Sequence, residues 1–188
     1  MKALCLLGLA ALSTLPALAC NGVQATPAAG PPDAARSLHL VLKVSEKGSA
    51  EVTSAAEVPG AAILPDAVTG DYLWLVTWDG RALAAGSSPD PFATRGYAPP
   101  GPPSEQQNRQ ESGSIVVRVP GLGLDSALET LAVDLYRLRP APDGSGISQV
   151  NPETVERLRK EGRLERLAGL SGSDLAAQIR RVGRKAAP

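Results

Sequence analysis

The chain has 188 residues with 19 basic and 19 acidic side chains, so it carries no formal net charge and no global field that would gather nucleic acid. Two cysteines and one histidine leave no material for a disulfide framework or a His-rich metal centre, and no cofactor is expected. The charge is uneven, however, because residues 151–188 hold 9 basic side chains against 5 acidic ones.

In chain order, the first element is an export signal. Lys2 gives a positive start, residues 3–15 form an apolar run, and no Asp or Glu occurs before Asp33. A helix over that run reaches roughly 20 Å, short of a hydrocarbon layer of about 30 Å, and Pro16 breaks it. Residues 1–19 are therefore read as a signal peptide. Ala17-Leu18-Ala19 places small residues before the cut, which makes Cys20 the first mature residue.

That arrangement resembles the lipobox of bacterial lipoproteins, although Ala17 stands where Leu, Val or Ile is usual. The resemblance implies lipidation of Cys20 and attachment to the membrane through that lipid. An ordinary Ala-x-Ala cleavage is the alternative. Cys5 leaves with the signal, so Cys20 has no intramolecular disulfide partner. Asn21 follows the cysteine where an Asp would imply inner-membrane retention, so the resemblance implies the periplasmic face of the outer membrane.

Residues 20–36 hold Pro27, Pro31 and Pro32 among small residues and read as a tether, with a typical span of about 20 to 25 Å. Six strands are then predicted. Leu38, Leu40, Leu42 and Val44 alternate with His39, Val41 and Lys43, and a weaker strand covers residues 50–57. Tyr72 to Trp78 is the strongest, with Tyr72, Trp74, Val76 and Trp78 on one face and Leu73 and Leu75 on the other, which suits a central strand. Asp79-Gly80 predicts a tight hairpin to Arg81–Ala84. Strands at 115–119 and 131–138 follow.

The fold predicted over 37–140 is mainly β, an antiparallel Ig-like β-sandwich, with a short helical C-terminal extension. The Cys and Trp spacing of immunoglobulins is absent, so "Ig-like" denotes architecture. Residues 71–138 also resemble β-sandwich domains that precede some secreted bacterial metallopeptidases, without a peptidase motif.

Pro89, Pro91, Pro99, Pro100, Pro102 and Pro103 make residues 86–112 a long proline-rich loop. Its Phe92 and Tyr97 are candidates either to pin it to the sheet or to meet a partner. Residues 141–150 read as a linker. The remainder, 151–188, reads as a helical, basic extension: Asn151-Pro152 starts one helix, Gly162 breaks it, and a capping-box pattern at Ser171-Gly-Ser-Asp174 starts another. On that last helix Leu175, Ile179 and Val182 form a stripe, while Arg180, Arg181 and Arg184 on the far side are candidate contacts for a partner or an acidic membrane surface.

No catalytic residue is nominated. His39 lies on the polar side of its strand, and no Gly-x-Ser-x-Gly elbow, Ser-x-x-Lys pair or phosphate loop occurs. Gly121-Leu-Gly123 opens a dinucleotide pattern that Ser126 fails to complete. The leading expectation is a lipid-anchored, non-enzymatic module that binds an envelope protein. A hydrolase using carboxylates alone is the rival and needs Asp66, Asp71, Asp125 or Asp134 to converge. A purely structural lipoprotein is the third reading.

Overall fold

The computed structural model describes residues 35–64, 67–93 and 109–183. Cys20, Asp66, Tyr97 and Arg184 lie outside the described residues. Seven strands and two α-helices are formed: β1 (Arg36–Ser45), β2 (Ala50–Pro59), β3 (Tyr72–Trp78), β4 (Arg81–Ser88), β5 (Ser112–Pro120), β6 (Leu131–Leu138), α1 (Pro152–Lys160), β7 (Leu164–Ser171) and α2 (Gly172–Gly183). They make two antiparallel sheets, ordered β2-β1-β5 and β4-β3-β6-β7.

Alternation along the strands decides what the sheets bury. Leu38, Leu40, Leu42 and Val44 of β1 join Ile115, Val117 and Val119 of β5 in one apolar cluster. Tyr72, Trp74, Val76 and Trp78 of β3, with Leu131, Val133 and Leu135 of β6, complete that cluster from the second sheet. Each fully buried Leu, Ile or Val contributes roughly 1.5 to 3 kcal/mol relative to exposure.

The other face of β3 is also buried, and α1 is the reason. Val155 and Leu158 of α1 are fully buried with Leu73, Leu75 and Tyr136 in a second, smaller cluster. Asn151 starts α1 as predicted, its Oδ1 accepting from the Thr154 N–H at 2.8 Å. Gly162 adopts φ +69° just past the helix, the left-handed conformation that glycine takes without steric cost. The hairpin prediction likewise has its geometry: Asp79 and Gly80 have φ of 51° and 72°, and Trp78 pairs directly with Arg81.

Three expectations need correction. Residues 151–188 are not a purely helical extension, because Leu164–Ser171 is a strand paired with β6. A bulge between Leu135 and Tyr136 in that ladder shifts the parity of β7, so Leu164 packs on the smaller cluster while Ala168 and Leu170 pack on the larger. Alternation is therefore lost from the sequence. The 141–150 segment is not a free linker either, since Val150 is buried and Ile147 packs beside it. Finally, the proline-rich loop is shorter than 86–112: β4 continues to Ser88 and β5 starts at Ser112.

Strands β4 and β5, one from each sheet, are in contact. Helix α2 adds Leu175, Ala176 and Ile179 to the main cluster. Gln178 of α2 accepts from the Val52 N–H at 2.9 Å, satisfying a backbone donor on edge strand β2.

Candidate functional site

The strand registers give the molecule two distinct ends. Arg36, the first residue of β1, pairs with Pro59, and Ser37 pairs with Pro120, so the chain enters the domain where β2 and β5 finish. The second sheet is aligned with this end through the 121–130 segment. Arg36 bonds Asp125 at 2.6 Å, Glu57 accepts from the Leu124 N–H at 3.0 Å, and the Trp78 indole donates to the Ala127 carbonyl at 3.2 Å.

The opposite end lies about 30 Å away, the length of a ten-residue strand. It gathers the β1–β2 hairpin, the base of the proline-rich segment and the 139–147 loop. Arg109 fastens the first two, bonding Glu46 at 2.8 Å and Asp90 at 3.0 Å while lying 5.9 Å from the centre of the Phe92 ring. The bond to Glu46, followed by the Tyr72 hydroxyl, raises the Arg109 pKa further. A backbone bond from Gln110 to Phe92 and a bridge between Ala93 and Arg109 close the stem.

Phe92 itself is therefore corrected as a partner contact. It is 2 % exposed and meets Tyr72 edge-on at 5.8 Å, so its ring pins the segment to the core.

Also at this far end is a cleft of about 410 Å³ lined by Asp71, Arg137, Arg139, Arg163, Glu165 and residues 140, 141 and 144–146 of the loop after β6. Its arginines are poorly matched. Arg139 reaches Glu165 only at 3.8 Å, and Arg163 donates one long hydrogen bond, 3.5 Å to the Ser145 carbonyl, and feels the charge of the Asp143 carboxylate, while its Nε is buried without a hydrogen-bond partner. Arg137 forms no ion pair among the described residues. Asp143 shapes the loop by accepting from both the Ser145 N–H and hydroxyl, and those bonds hold its carboxyl below the usual carboxylate range. A larger hollow of about 720 Å³ beside the hairpin is lined by Lys43, Lys47, Glu46, Glu51 and Glu111, but Glu46 is already paired with Arg109.

None of these cleft arginines is among the residues singled out from the sequence. The run Arg137-Leu-Arg139-Pro at the end of a predicted strand is the only signal for two of them, and Arg163 arrives through the unpredicted strand β7. Of the arginines that were singled out, Arg180 is bound to Glu129 at 2.7 Å, while Arg181 is exposed. That bond also depresses the Glu129 carboxyl pKa.

The carboxylates do not share one site. Asp125 lies at the end where the chain enters, Asp71 at the far end, and Asp134 is bound to Arg166 at 2.6 Å along the middle of the second sheet. Asp125 and Glu129 each face a different arginine.

His39 lies on the outer face of the first sheet with Nε2 3.4 Å from Ser37 Oγ. Burial, and then the charge of Arg118, lower its pKa below 6.5. Folding therefore opposes its protonation. The stability linked to this group is complete above pH 6.5 and declines as the pH falls through 6.5 toward the folded-state value. His39→Gln is expected to lose less thermal stability than the wild type between about pH 7.5 and about pH 5. Parallel losses in melting scans of the two proteins would contradict this assignment.

In comparisons with known proteins, the chain matches no family model, no curated protein and no solved structure.

Proposed function

We propose that the chain is a lipid-anchored protein of the bacterial cell envelope, and that its domain is an Ig-like β-sandwich binding another envelope component at the end remote from the anchor. The three-plus-four arrangement of strands around one shared cluster supports the sandwich reading. One observation carries the functional reading: the chain enters at Arg36, while the hairpin, the proline-rich stem and the arginine-lined cleft sit at the opposite end. With a tether spanning about 20 to 25 Å from Cys20, this geometry presents the loop-rich end away from the bilayer. Loops displayed on a rigid scaffold are where binding surfaces concentrate.

The anchor is tested by Cys20→Ala. Each buried methylene contributes about 0.8 kcal/mol to membrane attachment, so losing the acylated thiol should move most of the protein from the membrane to the soluble fraction. Intact mass of the wild-type N-terminus checks the lipid directly, and an unmodified Cys20 would end the lipoprotein reading. The direction of binding is tested by placing a photo-crosslinking residue at Ser145 or at Gly60. Adducts with an envelope protein are expected from the Ser145 position and not from Gly60; the reverse pattern would refute the proposed orientation.

A further inference from the structure

The geometry points to the cleft of Arg137, Arg139 and Arg163 as a binding site for a singly charged carboxylate group. This deepens the binding reading above by naming the chemistry of the ligand. Three observations combine. The cleft, at about 410 Å³, is of a size that accepts one small group or side chain. Its guanidinium donors exceed their acceptors: Arg137 is unpaired among the described residues, and the Arg163 Nε is buried without a hydrogen-bond partner. A buried donor left unmatched is costly, and a carboxylate is the acceptor whose two oxygens fit the fork of a guanidinium.

The sign and size of the charge narrow the ligand further. Three arginines share the cleft with Asp71 and Glu165, and the Asp143 carboxylate of the adjoining loop acts on Arg163, so the local charges balance. A balanced site takes a single added negative charge at less cost than two. A phosphate dianion would meet these carboxylates with two negative charges of its own, whereas a carboxylate flanked by N–H or O–H donors brings one and offers those donors to Asp71 and Glu165. A peptide carboxylate and an acidic sugar both have this chemistry.

The direct test follows the arginine Nε–Hε signals of the full chain in detergent micelles by NMR. Acetylglycine, glucuronate and inorganic phosphate are titrated at constant ionic strength, with chloride as the control. Saturable shifts of the Arg137 and Arg163 signals are expected with a carboxylate probe and not with chloride. Tighter binding of acetylglycine identifies a peptide source, and tighter binding of glucuronate a sugar source. Arg137→Gln should weaken the binding about tenfold, and Arg180→Gln should leave it unchanged. Arg137 is exposed and unpaired, so its variant retains the test if Arg163→Gln proves unfolded. Absence of saturation, tighter binding of phosphate, or equal affinity in Arg137→Gln would overturn the assignment. The outcome is independent of the anchor, because an unlipidated Cys20 leaves these titrations unaffected and a failed titration leaves membrane attachment unaffected.

Discussion

Trp74→Ala should destabilise the domain by about 3 to 5 kcal/mol, a large share of the 5 to 15 kcal/mol that holds a typical domain together. Trp74 is 4 % exposed in the middle of β3, a strand flanked by β4 and β6. Its indole lies against Gly86, its partner across the ladder, where an added Cβ would collide with the six-membered ring. The close packing over a residue with no side chain leaves nothing nearby that can fill the space after truncation. A cavity remains, and its cost adds to the lost burial. Melting temperature should fall by roughly 6 to 20 °C, at 2 to 4 °C per kcal/mol for a chain of this size. Gly86→Ala should also destabilise, because the indole must shift to admit a methyl group. A Trp74→Ala protein that melts within a degree or two of wild type would show that β3 is not a core strand.

The strands that bury one face with unbroken alternation were legible, as β1, β3, β5 and β6 illustrate. Their period of two is enforced by the pleat, so the inward set could be named residue by residue. Asp79-Gly80 was legible because the positive φ of a tight hairpin admits few residue types. Strand β7 was not. Between Gly162 and Ser171 the bulge places Leu164 on one cluster and Ala168 on the other, and a helical neighbour on each side favours a helical reading. The cleft was hidden for a related reason. Arg163 approaches Arg137 and Arg139 only after β7 has paired with β6, and sequence spacing carries no trace of that long-range pairing. Phe92 shows the opposite case, where the residue was identified but its role was open until Tyr72 supplied the contact.

Deleting residues 171–188 should abolish cooperative folding. The stripe of Leu175, Ile179 and Val182 invites two opposite readings, a packed face or a surface-seeking one, and burial separates them. Leu175 and Ile179 are fully buried and Ala176 is 1 % exposed, all three inside the cluster shared by both sheets. Val182 packs at its margin. At about 1.5 to 3 kcal/mol for each of the two large side chains, their loss alone removes roughly 3 to 6 kcal/mol. The deletion also uncovers the core between β2 and β7 and strips the Val52 N–H of its bond to Gln178, leaving an edge strand open to association. The summed effect approaches the whole stability of a domain. Leu175→Ala and Ile179→Ala should each cost about 2 to 5 kcal/mol, which separates packing from the loss of the basic tail. Arg181→Gln is the charge control, since Arg181 is exposed and makes no ion pair among the described residues. It should leave stability unchanged, and any salt-sensitive binding of the Cys20→Ala protein to anionic vesicles should fall with it. A truncated chain that keeps the wild-type melting transition would show that α2 is an accessory surface helix, contrary to its burial.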